Sequence, residues 1–565
     1  VSRTNTHKAQ SADGISRRGM LKAAGGLALA SAAGTGAATL LGGTASAAPA
    51  TFTHPGMLHT QADFDRMRAM VNAGYQPWKA GWDRLVANGH SAAGWTPRPQ
   101  KMVFRGGSDP QNYPILYNDI HAAYQNALRW KVTGNTAHAD TARDICNAWS
   151  GTLEGIGGGS EVVLLAGIYG YQFANVGEIM RGYPGFDLAR FKAMMLTYFY
   201  PANHDFLNRT TNCWGHYWAN WDLCSMASLM AIGILCDDPA KFDETVDYFY
   251  NGAGNGSLAN AIPYVYNDVG LAQWQESGRD QAHSIMGIGL MGTICEMAWN
   301  QGVDLYAADD SRFRKACEYV ARYNLGYDVP YTTYIWRNGP HCVETAQTVI
   351  SESGRGQWRP VWERVYHHYA IRRGMAMPNT GDMVARVRPE GGGGDYGTTS
   401  GGFDELGFGT LAYARESGTA TLPTGARSLQ SVNLPTRYIR HQNYLGYLHE
   451  VTAASTTQVK QDATFTIVPG LAAPNGYSLR AANGQYLRHN NFRIRLAADD
   501  GTAAFRSDAT FIPRPGTASG SVRLESSNFP GRFLRHRNYE LWLDSYDATQ
   551  LFRDDSSFRA VTPWA

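Results

Sequence analysis

Two stretches of the chain concentrate groups that hold charge and move protons. The first reads Cys213-Trp214-Gly215-His216-Tyr217-Trp218-Ala219-Asn220-Trp221-Asp222 and runs directly into the apolar residues 223–235. The second reads Trp274-Gln275-Glu276-Ser277-Gly278-Arg279-Asp280-Gln281-Ala282-His283 and runs into the apolar residues 285–297. Both hold more polar and aromatic groups than a core helix needs, and both lie at the mouth of a helix. Glu276, Arg279, Asp280 and His283 stand at steps of three and four, so part of the set shares one helical face if the helix already covers it. The plainer reading makes Tyr217 and Asn220 packing and capping groups, and Arg279 the structural ion-pair partner of Glu276 or Asp280.

A third set recurs three times near the C-terminus. Tyr438-Ile439-Arg440-His441, Tyr486-Leu487-Arg488-His489 and Phe533-Leu534-Arg535-His536 place their histidines 48 and 47 residues apart. Each is followed by a second shared signature: Asp462-Ala463-Thr464-Phe465, Asp508-Ala509-Thr510-Phe511 and Asp555-Ser556-Ser557-Phe558. Within every copy apolar and polar residues alternate between turn residues, as strands require. Three strand-rich units of this length resemble a β-trefoil.

The elements that must position the first two stretches are helices. Between residues 120 and 149 one apolar face holds Ile120, Ala123, Tyr124, Ala127 and Leu128, and after Gly134-Asn135 another holds Ala142, Ile145, Cys146 and Trp149, the pattern of a helical hairpin. Residues 163–180, 191–199, 222–235, 282–299 and 313–323 repeat that periodicity, so an array of antiparallel helix pairs is expected. The tract Arg388-Pro389-Glu390-Gly391-Gly392-Gly393-Gly394-Asp395-Tyr396-Gly397 has too few side chains for a helix or interior strand and reads as an ordered loop near a site. Helical periodicity ends at Leu422-Pro423-Thr424-Gly425.

The whole chain sets limits. Its 565 residues with 44% hydrophobic content supply several cores, and a net charge of +2 leaves none of the basic excess of a nucleic-acid binder. Ser16-Arg17-Arg18-Gly19-Met20-Leu21-Lys22, an Ala/Gly-rich apolar run and Ala45-Ser46-Ala47 read as a twin-arginine signal with a small-residue cleavage site. Export out of the cell is therefore expected, with no retained membrane anchor. The expected organisation is a signal peptide over 1–47, a helical domain over 48–420, a linker over 421–427 and a trefoil over 428–565. Seven scattered cysteines form no C-x-x-C pair, so buried apolar roles are expected, with one bridge among them left open. No zinc or nucleotide motif appears, and no metal or cofactor is expected.

The C-terminal repeats resemble the arabinose-binding (AbfB-type) module at the end of fungal arabinofuranosidases. That resemblance implies one arabinofuranose per repeat, held by His441 with Asp462, His489 with Asp508, and His536 with Asp555. A carboxylate accepts from the vicinal hydroxyls of a furanose, and an imidazole donates or accepts. The region from about 58 to 415, through Glu276–His283, Tyr217–Asp222 and Pro389–Gly397, resembles the glucuronan and alginate lyase branch of the alginate-lyase-like helical toroids. That implies an all-α (α/α) toroid followed by an all-β trefoil, and cleavage of an acidic polysaccharide by β-elimination. Asn220 and Arg279 would then neutralise the uronate carboxylate, with His283 as base, Tyr217 or another groove tyrosine such as Tyr334 or Tyr396 as acid, and His216 and Glu276 in support. The expected partners are an acidic polysaccharide and its arabinofuranosyl side chains, with the protein a monomer. Two alternatives stand beside this reading: a glycoside hydrolase using Glu276 with Asp395 or Glu390, and a non-catalytic carbohydrate-binding protein.

Overall fold

The computed structural model describes residue 49 and residues 51–565 apart from 73, 75, 340, 416–419, 474–475, 519, 530–531 and 547–548. The signal segment expected over 1–47 lies outside the described residues. Among the described residues no helix is long and apolar enough to cross a membrane.

The N-terminal part is an (α/α) toroid whose helices divide by how much of their circumference is buried. Gly170–Met180, Ala219–Leu235 and Gln281–Asn300 are buried on nearly every side, which places them inside. Outer partners such as Pro239–Asn251 bury one face only, through Phe242, Thr245, Val246 and Phe249. The expected hairpin is Tyr113–Thr133 and Thr136–Thr152. It turns at Gly134, in the left-handed region at φ 76°, and restarts where the Asn135 side chain accepts from the Ala137 N–H. Inner helices approach so closely that a Cβ on Gly167 would lie 2.4 Å from Cys224 Sγ.

The glycine tract is an ordered loop seated on the early helices. Asn88 Nδ2 donates to Gly392 O at 2.9 Å, and Arg84 reaches both Pro389 O and the Asp395 carboxylate. Phe403 stacks on Tyr117 at 4.2 Å. The one bridge left open among the seven cysteines is present: Cys213 and Cys342 form a disulfide. Of the remaining five, Cys146, Cys224, Cys295 and Cys317 are buried, as their apolar role requires.

The C-terminal part is a β-trefoil of twelve strands, from Gly425–Ser431 to Ser557–Val561, in one sheet that closes where these two strands pair, Ser431 opposite Phe558. Each repeat contains a hairpin, Arg437–Gln442 with Leu445–Glu450, Tyr486–Asn490 with Arg493–Ala497, and Arg532–Arg537 with Glu540–Ser545. The turns Asn443-Tyr444, Asn491-Phe492 and Asn538-Tyr539 all have positive φ, the two-residue turn that matches strand twist. The Asp of each second signature ends a short helix, Thr457–Asp462, Ala503–Asp508 or Gln550–Asp555. The following Phe465, Phe511 and Phe558 enter the shared core with Ile439, Leu487 and Leu534. The repeat is thus read twice, in the core by its phenylalanines and at the rim by its histidines and aspartates.

Candidate functional site

The two helix entrances meet. Ala219 N–H donates to Gln275 Oε1 at 3.1 Å and Asn220 N–H to Glu276 Oε1 at 3.0 Å. The first turn of Ala219–Leu235, whose N–H groups have no partner within the helix, is therefore capped by side chains of the second motif. Glu276 has no solvent exposure; burial pushes its carboxyl above the usual range, opposed by His283 and Arg279. Arg279 donates to Glu276 Oε2 at 2.8 Å while its guanidinium lies 5.0 Å from the centre of the Trp218 ring. The ion pair that the plainer reading expected exists, and it aims a partly exposed cation at the junction.

Two histidines at this junction are held in opposite tautomers. Asp280 caps Gln281–Asn300 by accepting from the His283 N–H, and its carboxylate also accepts from His283 Nδ1–H at 2.8 Å. His283 Nε2 then carries a lone pair, to which Arg279 donates at 3.3 Å. Burial alone would raise the Asp280 carboxyl, but the His283 contacts hold it below its ordinary value. His216 Nδ1 instead accepts from Gly339 N–H at 3.0 Å, which leaves its proton on Nε2. Asn220 is buried and its Oδ1 has no protein partner. Asp222, in the same motif, is a framework residue, bound by Arg209, Tyr248 and Gly256 N–H.

The hairpin Tyr334–Asn338 with Val343–Gln347 packs against this junction. Trp336 stacks on Trp218 at 4.8 Å and donates to His216 O. Tyr334 OH donates to Asn255 Oδ1 at 3.3 Å, and Asn255 Nδ2 in turn donates to Tyr217 O at 2.7 Å. Burial raises the Tyr334 hydroxyl, with Gln275 opposing. Tyr217 packs its ring between Phe206 and Trp221. Tyr396, the other tyrosine considered, belongs to the glycine loop, where its hydroxyl accepts from Gly391 N–H. The carboxylates of the hydrolase alternative are each engaged elsewhere: Glu276 as above, Glu390 by the N–H groups of Trp362 and Glu363, and Asp395 by Arg84 and Asn88. Among the described residues no group of three His, Cys, Asp or Glu side chains is placed to hold a metal.

The Cys213–Cys342 bridge ties the tip of that hairpin to the first motif across 129 residues. Such a closure is worth on the order of 4–5 kcal/mol in the chain-entropy account. Cys342→Ser is therefore expected to lower the unfolding temperature of the helical domain and to reduce turnover, through looser placement of Tyr334 and Trp336. Calorimetry and turnover with and without reductant check this, and no change in either would count against it.

The trefoil holds its three His–Asp pairs unequally. His489 Nε2 lies 3.1 Å from Asp508 Oδ1, and Asn528, from the next repeat, completes the pocket by accepting from His489 and donating to Asp508 at 2.7 Å. A cavity of about 250 Å³ opens there, lined by Arg488, His489, Phe492, Asp508 and Phe529 among others. Asn433 plays the same part for His536 and Asp555, with a 2.8 Å bond to the carboxylate. His441 and Asp462 stand 3.7 Å apart, and Gln458 from the same repeat occupies the Asp462 Oδ1 position. Asn483, where the corresponding asparagine would come from, bonds to Gln485 instead. Burial lowers the imidazoles of His441 and His536.

A mostly α-helical toroid joined to a trefoil whose rim carries threefold His–Asp pairs is the class that fold and sites define. Residues 110–328 match the family model "Alginate lyase" and residues 427–560 match "Alpha-L-arabinofuranosidase B (ABFB) domain". The chain is thus alginate-lyase-like in its helical part and carries an AbfB-type module at its C-terminus. The first span includes both helix entrances and the second all six His and Asp residues. A probable alpha-L-arabinofuranosidase B of Aspergillus fumigatus is 35% identical over 127 residues, covering 20% of this chain and 25% of that one. An alpha-L-arabinofuranosidase of Hypocrea jecorina is 37% identical over 97 residues, covering 17% and 19%. The chain spans about a quarter of the length of the first such relatives. Among solved structures, a variant of alginate lyase A1-III complexed with tetrasaccharide aligns at 17% identity and TM-score 0.42, over 65% of this chain and 98% of that one.

Proposed function

We propose that this protein is a secreted polysaccharide lyase that cleaves a uronate-containing polysaccharide, glucuronan, alginate or a plant uronate polymer, by β-elimination, and that its trefoil holds it on arabinofuranosyl side chains. The observation that supports this reading is the meeting of the Asn220 helix start with Arg279 and His283 through Glu276, to which His216 is linked by Trp336 and Trp218. A ring carbon beside an ionised carboxylate holds its proton tightly, so charge building on that carboxylate must be met by donors. Arg279, Asn220 Nδ2 and the His216 Nε2–H supply three. His283 Nε2, kept as an acceptor by Asp280, takes the proton once the Arg279 N–H that it accepts from turns to the substrate carboxylate. The released electron pair forms the new ring double bond, the bond to the 4-linked oxygen breaks, and that oxygen takes a proton from a phenol. Tyr217 is one candidate; Tyr334 is our assignment, because its hydroxyl reaches the junction, donating to Asn255 Oδ1 while Asn255 Nδ2 holds Tyr217 O. The reaction as written uses no metal or cofactor, and the protein acts as a monomer.

The test is incubation with glucuronan, alginate and plant uronate polymers while absorbance near the ultraviolet edge is recorded. A rising unsaturated-uronate chromophore is expected; chain shortening without it would overturn elimination in favour of hydrolysis.

A further inference from the structure

A cavity of about 520 Å³ opens between the helical domain and the trefoil, and none of the residues assigned above to elimination or to arabinofuranose capture lines it. Ligand sites fall in the range of about 300–1,000 Å³ and form preferentially at domain interfaces. The wall is aromatic and cationic. Tyr366 comes from the helical domain, Phe533 and Tyr546 come from the third trefoil repeat, and Arg388, Arg415, Arg514, Arg523 and Arg532 are drawn from both.

Carboxylates do not match these cations in number. Among the described lining residues Glu525 is the sole acid, and it is paired with Arg514 at 2.7 Å. Behind the wall Glu363 holds Arg388 at 2.6 Å, and Asp63 is divided between Arg415 and Arg66. Arg532 meets the Leu543 carbonyl and the Phe492 ring, and no carboxylate among the described residues. Two wall groups register the excess. Burial alone would raise the Tyr546 hydroxyl, yet Arg523, Arg553 and Arg388 hold it below its ordinary value. Burial, then repulsion from Arg66 and Arg372, pushes the Arg415 guanidinium down to about 10. A place where a phenol ionises more readily and a guanidinium holds its proton less firmly favours a bound anion. Flat rings suit the apolar face of a sugar, and guanidinium forks suit a carboxylate.

We propose that this cavity binds a short acidic saccharide, with sugar faces against Tyr366, Phe533 and Tyr546 and carboxylates on the arginines, so that one ligand is clasped by both domains. Phe533 and Tyr546 also pack on Phe552, in the helix that presents Asp555, and Arg388 begins the glycine loop. An occupant therefore bears on elements of both domains and holds the trefoil fixed on the toroid. The inference goes beyond the lyase reading and takes from it only the choice of a uronate probe.

The experiment is calorimetric titration of the full chain with triglucuronate, in the Arg279→Ala background so that turnover does not consume the probe. Arg415→Gln leaves Asp63 paired with Arg66, and Ala80→Trp fills the cavity from the helix Trp78–Ala87 without removing a charge. Each should remove one bound equivalent or weaken it roughly tenfold or more, the scale of a charge-assisted hydrogen bond, while arabinofuranosyl binding is unchanged. Triglucuronate should also raise the unfolding temperature of the background protein more than that of either variant. Unchanged stoichiometry and affinity in folded Arg415→Gln overturns the site, as does equal binding of a neutral trisaccharide. Inorganic sulfate binding there as tightly as the saccharide reduces it to an anion hole and overturns the saccharide assignment. Should the protein cleave no uronate polymer, the lyase reading fails by itself and this titration still decides.

Discussion

Arg279→Ala is expected to reduce turnover of a uronate polymer by roughly 10³-fold or more while arabinofuranosyl binding through the trefoil persists. The guanidinium donates at once to Glu276 and to His283 Nε2, so in the proposed elimination its loss removes the main stabiliser of the developing charge and a partner that orients the base. A structural cost comes with it. Glu276 is buried with its carboxyl already raised by that burial, and without the nearby cation it rises further. An acid whose folded value exceeds its unfolded one loses stability as pH climbs, because only the unfolded chain ionises across that interval. The variant's unfolding temperature should therefore fall with rising pH above the ordinary carboxylate range more steeply than wild type's. Arg279→Lys separates the two effects. It restores a cation near Glu276 but not the planar fork, so stability should recover more than turnover. Turnover of Arg279→Ala within tenfold of wild type, in a folded protein, would remove Arg279 from the chemistry.

Where the chain repeats itself, sequence was enough to read the fold and to pair each His with its Asp. The Arg-His and Asp-x-x-Phe signatures each fix one strand and one helix end, and the structure places each His beside its Asp. The asparagines that complete two pockets were missed, although Leu429-Gln430-Ser431-Val432-Asn433 and Leu524-Glu525-Ser526-Ser527-Asn528 show the same spacing; the signal was a repeat of only two polar residues. In the helical domain periodicity located the helices, because burial on one or all sides leaves a trace every three or four residues. It could not show that residues 219–220 touch 275–276, since pairing between distant helix ends is set by how the array closes. Asn255 and Tyr334 reach the junction from segments with no local signature, and the Cys213–Cys342 bridge has no spacing rule to reveal it. The cavity between the domains was invisible for a different reason: what marks it is the space its lining residues leave, a property only coordinates contain.

The second large effect is expected in the trefoil, where Ala substitution of both His489 and His536 should abolish detectable binding to arabinofuranosyl glycans while His441→Ala changes it by less than about twofold. Three weak pockets give tight binding only if each can hold a sugar, since avidity multiplies sites engaged together. In two pockets the imidazole N–H, the Asp carboxylate and an Asn from the following repeat are already locked to one another, so little ordering remains for the ligand to impose. The third keeps its His and Asp 3.7 Å apart and lacks the Asn that would tie them, since Gln458 bonds the carboxylate alone, so a sugar entering there would have to order the imidazole itself. Single His489→Ala or His536→Ala should leave one ordered pocket and weaken binding to a multivalent arabinan by roughly 10²-fold, the scale of lost avidity, while binding to a single arabinofuranoside only halves in stoichiometry. Glycan binding measured on the full chain distinguishes these cases, because a monovalent probe counts pockets and a polymer reports their cooperation. If His441→Ala proved as damaging as His489→Ala, the three pockets would be equivalent in solution, and the interlocking asparagines would have no bearing on sugar capture.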